Sequence, residues 1–172
     1  AGDGTVYFVV RNALLYAVSA ATGEIRWAHP LQLPGDTSVP SIAADGTIFV
    51  ATVAGFATSR VAMLEAVTPS GDSKWSTELA SGAAIAPCQV GGPQVALDAN
   101  GNAFVSFNGN CSDVTAAPLL FGVTAAGAVT WSVDGFISAT AIVGAADTLY
   151  AFGDLLGTQR GQAVHLFSIT SR

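Results

Sequence analysis

Lysine is nearly missing from this chain. Lys74 is the only one in 172 residues, five arginines complete the basic set, and charged residues make up 10% of the sequence. Twelve acidic residues leave a net charge of −6, with the basic residues scattered from Arg11 to Arg172. That scatter argues against the basic footprint of a nucleic-acid binder, and against docking on anionic lipid, which needs clustered Lys and Arg. Low charge joined to 51% hydrophobic residues is the opposite of a disordered profile. Sustained helical periodicity is missing, and so is the Gly-x-Ser-x-Gly elbow of a hydrolase. The uncharged run from Val114 to Val133 is long enough to raise a membrane span. It holds Pro118, Gly122, Gly127 and several threonines, and it aligns with polar-flanked repeats elsewhere, so no span is expected.

What the chain has in abundance is repetition. Asp3-Gly4-Thr5-Val6-Tyr7-Phe8-Val9 returns as Asp45-Gly46-Thr47-Ile48-Phe49-Val50-Ala51. It returns again, with drift, as Asn100-Gly101-Asn102-Ala103-Phe104-Val105-Ser106 and Ala146-Asp147-Thr148-Leu149-Tyr150-Ala151-Phe152. A second phrase follows: Leu15-Tyr16-Ala17-Val18 leads to Gly23 and Trp27, Leu64-Glu65-Ala66-Val67 to Gly71 and Trp75, and Leu120-Phe121-Gly122-Val123 to Gly127 and Trp131. The fourth version, Leu166-Phe167-Ser168-Ile169, reaches Arg172 with no Trp. The tryptophans stand 48 and 56 residues apart, a period that signals a propeller or solenoid.

Short runs of Val, Ile, Phe, Tyr and Ala, separated by Gly, Asp, Asn, Ser and Thr turns, predict an all-β chain. Unit two predicts four strands, Pro40–Ala43, Thr47–Thr52, Val61–Thr68 and Ser73–Thr77. The second-strand segments are apolar at both parities, as strands covered on both faces are. Stacked propeller blades cover their inner strands in this way. The expectation is therefore a single segment over residues 1–172 built of four-stranded antiparallel blades, in units 3–31, 38–79, 84–133 and 137–172. The first unit lacks a recognisable first strand and the last lacks its Trp strand, giving about fourteen strands. The chain is expected to be part of a larger ring, with open blade edges that need covering.

Asp-Gly-Thr-Val-Tyr, then Leu-Tyr-Ala-Val, then Thr-Gly-Glu-Ile-Arg-Trp resembles the repeat of pyrroloquinoline-quinone-type (PQQ-like) β-propellers, most closely over residues 3–27 and 38–75. That family includes quinoprotein alcohol dehydrogenases and an outer-membrane assembly lipoprotein, so the resemblance implies a fold and leaves the function open. It implies that Trp27, Trp75 and Trp131 dock between adjacent blades, with Gly23, Gly71 and Gly127 in the preceding turns; sugar or aromatic-ligand stacking is the alternative role. A catalytic quinoprotein would bring an adjacent Cys-Cys pair, carboxylate and amide ligands for calcium, and an aspartate base. The sequence has no such cysteine pair, and none of its Asp or Asn residues can be matched to those positions, so the chain is read as the non-catalytic branch.

The two cysteines, Cys88 and Cys111, bracket a predicted hairpin of Gln94–Leu97 against Ala103–Phe107. Pairing about the Asp98–Gly101 turn brings residues near 88 opposite residues near 111, within disulfide reach. A disulfide there places the chain in an oxidising compartment: periplasm, cell surface or exterior. Asp98-Ala99-Asn100-Gly101-Asn102 has the spelling of half a calcium loop but lacks the later acidic ligand, and Asn-Gly is itself a turn signal. His29 and His165 have no Cys or carboxylate at metal-ligand spacing, and Asn110-Cys111-Ser112 spells a glycosylation sequon around a cysteine.

No catalytic, cofactor or metal residues are assigned. The expected function is a non-enzymatic, extracytoplasmic scaffold that binds a protein partner or further blades of the same polypeptide. Its recognition loops are Ala28–Val39, Val53–Arg60, Leu79–Pro93 and Asn108–Pro118, and added-strand pairing or self-assembly at open blade edges is a second contact mode. The rivals are a segment of a PQQ- and calcium-dependent dehydrogenase and a carbohydrate-binding propeller.

Overall fold

The computed structural model describes residues 2–10, 13–82, 85, 88–111, 118–134, 137–143, 148–154 and 165–170. They form four antiparallel sheets in chain order, each sheet a β-propeller-type blade. Blade one is β1 (Thr5–Val10), β2 (Leu14–Ser19) and β3 (Ile25–Pro30). In blade two, β4 (Asp36–Thr37) and β5 (Ser41–Ile42) together flank β6 (Ile48–Ala54), followed by β7 (Val61–Val67) and β8 (Ser73–Ser81). Blade three is β9 (Cys88–Leu97), β10 (Ala103–Cys111), β11 (Pro118–Val123) and β12 (Val129–Asp134). The fourth sheet is β13 (Ile137–Val143), β14 (Thr148–Asp154) and β15 (His165–Thr170).

Three local expectations need correction. The first strand of unit two, expected over Pro40–Ala43, shortens to β5, and a further piece, β4, precedes it with Ser38–Pro40 between them. Proline has no N–H to give to a ladder, which favours the break at Pro40. The β9–β10 hairpin is also longer than predicted, because a bulge between Ser106 and Asn108 absorbs one residue and lets pairing resume to the end of both strands. The same pairing shortens the long inserts that the repeat spacing predicts at Gly82–Gly92 and Gly109–Ala117. Of the second insert, residues 112–117 lie outside the described residues, as does Ser112 of the sequon. Third, β1 is covered on one face only, with Val6 47% and Phe8 40% exposed.

Turns explain how the repeated phrase folds. Asp3 and Asp45 each accept the backbone N–H two residues on, from Thr5 and Thr47, fixing the entry into β1 and β6. The basic residues before Trp27 and Trp75 reach back to the same turn: Arg26 donates to Asp3 and Thr5, and Lys74 to Asp45 and Thr47. Those hydrogen bonds from Thr5 and Thr47 hold both aspartate carboxyls below their ordinary range, with the cations adding to the effect.

The core lies between blades. Phe49, Ala51, Leu64 and Ala66 of blade two pack with Val105, Phe107, Phe121 and Val123 of blade three in one cluster. Ile48, Val50 and Val67, on the opposite face of blade two, pack with Leu15, Ala13 and Leu31 beside blade one. Alternation along β6 sends successive side chains into two different interfaces, so every side chain from Ile48 to Val53 is buried.

Candidate interaction surface at the blade seams and loop ends

The seams between blades one and two and between blades two and three are each closed by a clasp from the outermost strand of one blade onto a turn of the next. The Trp27 indole N–H donates to the Pro69 carbonyl at 2.9 Å, and His29 donates from Nδ1 to the Gly71 carbonyl, also at 2.9 Å. One blade further on, Trp75 donates to the Ala125 carbonyl at 3.0 Å and Thr77 to the Gly127 carbonyl at 2.6 Å. The rings lie flat enough on the turns that a Cβ at Gly71 would fall 2.8 Å from the Trp27 ring, and one at Gly127 would fall 2.8 Å from the Trp75 ring. Both glycines also have φ near +90°, where a side chain is strained in any case. Glycine is thus required twice over: for the turn and for the close approach of the indole.

Within its own blade each Trp meets an aromatic or apolar wall. Tyr7 packs on Trp27 at 5.6 Å between centroids, Phe49 on Trp75 at 5.6 Å, and Phe104 on Trp131 at 6.0 Å. Trp27 and Trp75 are thus each engaged both by their own blade and by the turn of the next. The residue two positions after Trp27 and Trp75, His29 and Thr77 respectively, is a second seam contact that no local chemistry in the sequence marks. The signal was its fixed offset from the Trp. Backbone placement of His165 is on β15, and its side chain lies outside the described residues.

The seam between blades one and two also holds a buried carboxyl. Glu65 is 2% exposed and accepts the Gln32 backbone N–H at 2.9 Å through Oε1. Burial pushes its carboxyl above the usual range, against the opposing pull of that N–H and of His29. Among the described residues, Glu65 Oε2 and Thr52 Oγ1 are buried with no hydrogen-bond partner. Both belong to the face of blade two that looks toward blade one, since Glu65 stands opposite Val50 and Thr52 follows Val50 by two.

At one end of blade two, three of the loops come together. Gly35 abuts Val53 and Ala54, the Gly82 N–H donates to the Arg60 carbonyl at 2.8 Å, and Arg60 reaches the Ile85 carbonyl at 3.4 Å. Between them a short 3-10 turn, Ala57–Ser59, lifts Phe56 into solvent, where it is 85% exposed. A cavity of about 340 Å³ lies along β1, lined by Tyr7, Phe8, Val9 and residues 37–40.

Cys88 and Cys111 stand directly opposite one another in the β9–β10 ladder. Their backbones are described; their side chains are not. Asp98 commits both carboxylate oxygens inside its own turn: Oδ1 accepts from the Asn100 and Asn102 N–H groups, and Oδ2 from the Asn102 amide. Among the described residues no three His, Cys, Asp or Glu side chains converge in a way that could hold a metal ion. Nor is any described helix long and apolar enough to cross a membrane.

Comparison with solved structures places the chain among larger β proteins. It superposes on a Bacteroides caccae protein of unknown function with a TM-score of 0.50 and 14% identity, over 98% of this chain and 57% of that one. It superposes on the quinohemoprotein alcohol dehydrogenase ADHIIG from Pseudomonas putida HK5 with a TM-score of 0.56 and 15% identity, over 90% of this chain and 32% of that one. The overlay on BamB from Moraxella catarrhalis is much looser, with a TM-score of 0.27 and 11% identity, over 87% of this chain and 67% of that one. The chain therefore spans a little over half and about a third of the first two matched proteins. No family model and no curated protein matches.

Proposed function

We propose that this chain is a non-enzymatic, extracytoplasmic propeller segment that displays its loop ends to a protein partner as a binding or assembly scaffold. The observation that carries this is the convergence of loops 31–36 and 55–60 with Gly82 and Ile85 at one end of blade two, with Phe56 exposed beside them. An exposed aromatic on a hydrogen-bonded turn is the kind of anchor that protein interfaces favour. The seam clasps supply the rigidity beneath it, because a recognition loop that is already ordered loses less entropy on binding. Among the described residues β1 is an edge strand of its sheet, which offers a second contact mode, addition of a strand.

The compartment follows from the two cysteines. Directly opposed positions in an antiparallel pair have Cα atoms about 4.5–5.5 Å apart, inside the range that a disulfide spans. We propose a Cys88–Cys111 cross-strand disulfide, formed when two thiols give two electrons and two protons to an oxidising dithiol–disulfide catalyst outside the cytoplasm. Intact mass before and after reduction, with alkylation, reads this directly: a gain of two hydrogens on reduction supports it, and two freely alkylated thiols in the native protein refute it.

The scaffold reading is tested by replacing Phe56 together with exposed Thr58 by alanine and measuring capture of partners. Loss of capture with an unchanged circular dichroism spectrum and Tm is expected. Retained capture after all the loops have been altered in turn would sink it. Quinone absorbance or alcohol oxidation on reconstitution with PQQ and calcium would favour the dehydrogenase rival instead.

A further inference from the structure

The same four positions recur on the leading face of each blade, the face that looks back along the chain. In blade two they are Ile48, Val50, Glu65 and Val67, none more than 2% exposed, and they lie against blade one. In blade three they are Ala103, Val105, Phe121 and Val123, again none above 2%. In blade one they are Val6, Phe8, Tyr16 and Val18, and here the face is bare: Val6 is 47% and Phe8 40% exposed, with Ile25 beside Val18 at 63%. The row is ordered rather than collapsed, since Phe8 stacks on Tyr16 at 5.5 Å and Val6 stands opposite Val18.

The turn beside that face repeats the other half of the seam. Gly71 and Gly127 each hold an indole from the preceding blade, whereas a Cβ at Gly23, with φ +73°, would meet nothing within 4 Å. The Gly23 turn is one residue longer than the other two, closing from Gly23 to Ser19 where they close from Gly71 to Thr68 and from Gly127 to Thr124. It keeps the positive φ that presents the backbone to a flat ring. An apolar face and an unfilled glycine turn are therefore adjacent on one surface, in the arrangement that an incoming blade fills twice elsewhere in the molecule.

We infer that the leading face of blade one seats a further blade of the same polypeptide, whose outermost strand lays a Trp on the Gly23 turn. A second copy of this chain is a poor occupant. Trp27 and Trp75 are engaged in the seams, and the Trp131 side of blade three already packs in one core with Leu149 of the fourth sheet. A blade in cis also agrees with the greater length of the matched proteins. The inference stands on the seams alone, so its failure and that of the loop reading are separable: one concerns Val6 and Gly23, the other Phe56.

The test uses the protein purified from its complete reading frame, in three variants, Val6→Cys, Val50→Cys and Ser70→Cys. Each is reacted with a maleimide under native conditions, and the adduct at that position is quantified by peptide mass spectrometry, which keeps Cys88 and Cys111 out of the count. Labelling at position 6 should be at least 100-fold slower than at position 70, in a monomer. Labelling as fast as at position 70 overturns the inference. So does protection that vanishes when a dimer is diluted apart, or that requires a different polypeptide. A second pair of variants guards against misfolding at Val6. Gly4 and Gly23 share φ of +72° and +73° and equally open surroundings, and Asn tolerates that conformation. With an indole seated, Gly23→Asn lowers the folding equilibrium constant at least tenfold more than Gly4→Asn; equal effects overturn it.

Discussion

Strands β1 and β6 begin on the same phrase, Asp-Gly-Thr followed by apolar residues, and meet opposite surroundings. In β6 the residues Ile48 and Val50 press against blade one while Phe49 and Ala51 press against blade three. In β1 Tyr7 and Val9 are packed, whereas Val6 and Phe8 look out. Burial of an apolar strand is thus a property of the stack and not of the strand, and the energy resides in the seams. A blade by itself is a twisted sheet with two apolar faces. It gains its stabilisation of about 25 cal/mol per Å² of apolar area only when a neighbour arrives.

The contrast breaks most severely at the clasp. Trp75→Ala removes a ring that fills the seam between blades two and three and strands the Ala125 carbonyl, and should cost about 3–5 kcal/mol. Chemical denaturation measures it, and a cost below about 1 kcal/mol would show that the seam does not depend on the indole. Next, Ile48→Ala should cost about 2–4 kcal/mol. Val6→Ala at the equivalent position sharpens the comparison: about 0.5 kcal/mol or less on a bare face, and a cost rising toward that of Ile48 if the face is covered. Gly127→Ala drives a Cβ into the Trp75 ring at positive φ and should cost about 1–3 kcal/mol, against a smaller loss for Gly4→Ala, where only the backbone objects.

The smallest effect carries a sign that can be checked. Burial holds the Glu65 carboxyl above its ordinary range, so the folded chain keeps a proton that the unfolded chain releases. Stability therefore falls as pH rises through the window between the ordinary unfolded pKa and the raised folded one. Glu65→Gln keeps an acceptor for the Gln32 N–H and removes the buried charge. It should raise Tm at neutral pH, with the gain shrinking as pH falls through that window and gone below about 4. A gain that is the same at every pH would contradict the assignment.

Repeat number, strand type and the recurring Trp were legible because each rests on short-range pattern. Apolar runs at both parities predicted strands with neighbours on both sides, and Asp-Gly-Thr predicted the turn that Asp45 and Thr47 make. The partners of Trp27 were not legible: Pro69 and Gly71 lie more than forty residues away, and nothing local to Trp27 specifies them. Glu65 was equally opaque. It occupies the position of Tyr16 and Phe121 in the repeat, where a carboxyl reads as a surface substitution, and its burial follows only from the loop that brings the Gln32 N–H over it. The opposed cysteines fell between these cases. The turn gave their approximate pairing, and the bulge after Ser106 set their register.

By itself, then, the sequence determined that the chain is all-β, that it is organised in four repeats, and that each of the first three ends on a Trp strand, because alternation, turn chemistry and period are written residue by residue. Only the tertiary structure decided which of two equally apolar faces is covered, where each indole docks, and which loops meet around Phe56. Those are contacts between segments distant in the chain, and they are settled by how one twisted sheet stacks on the next.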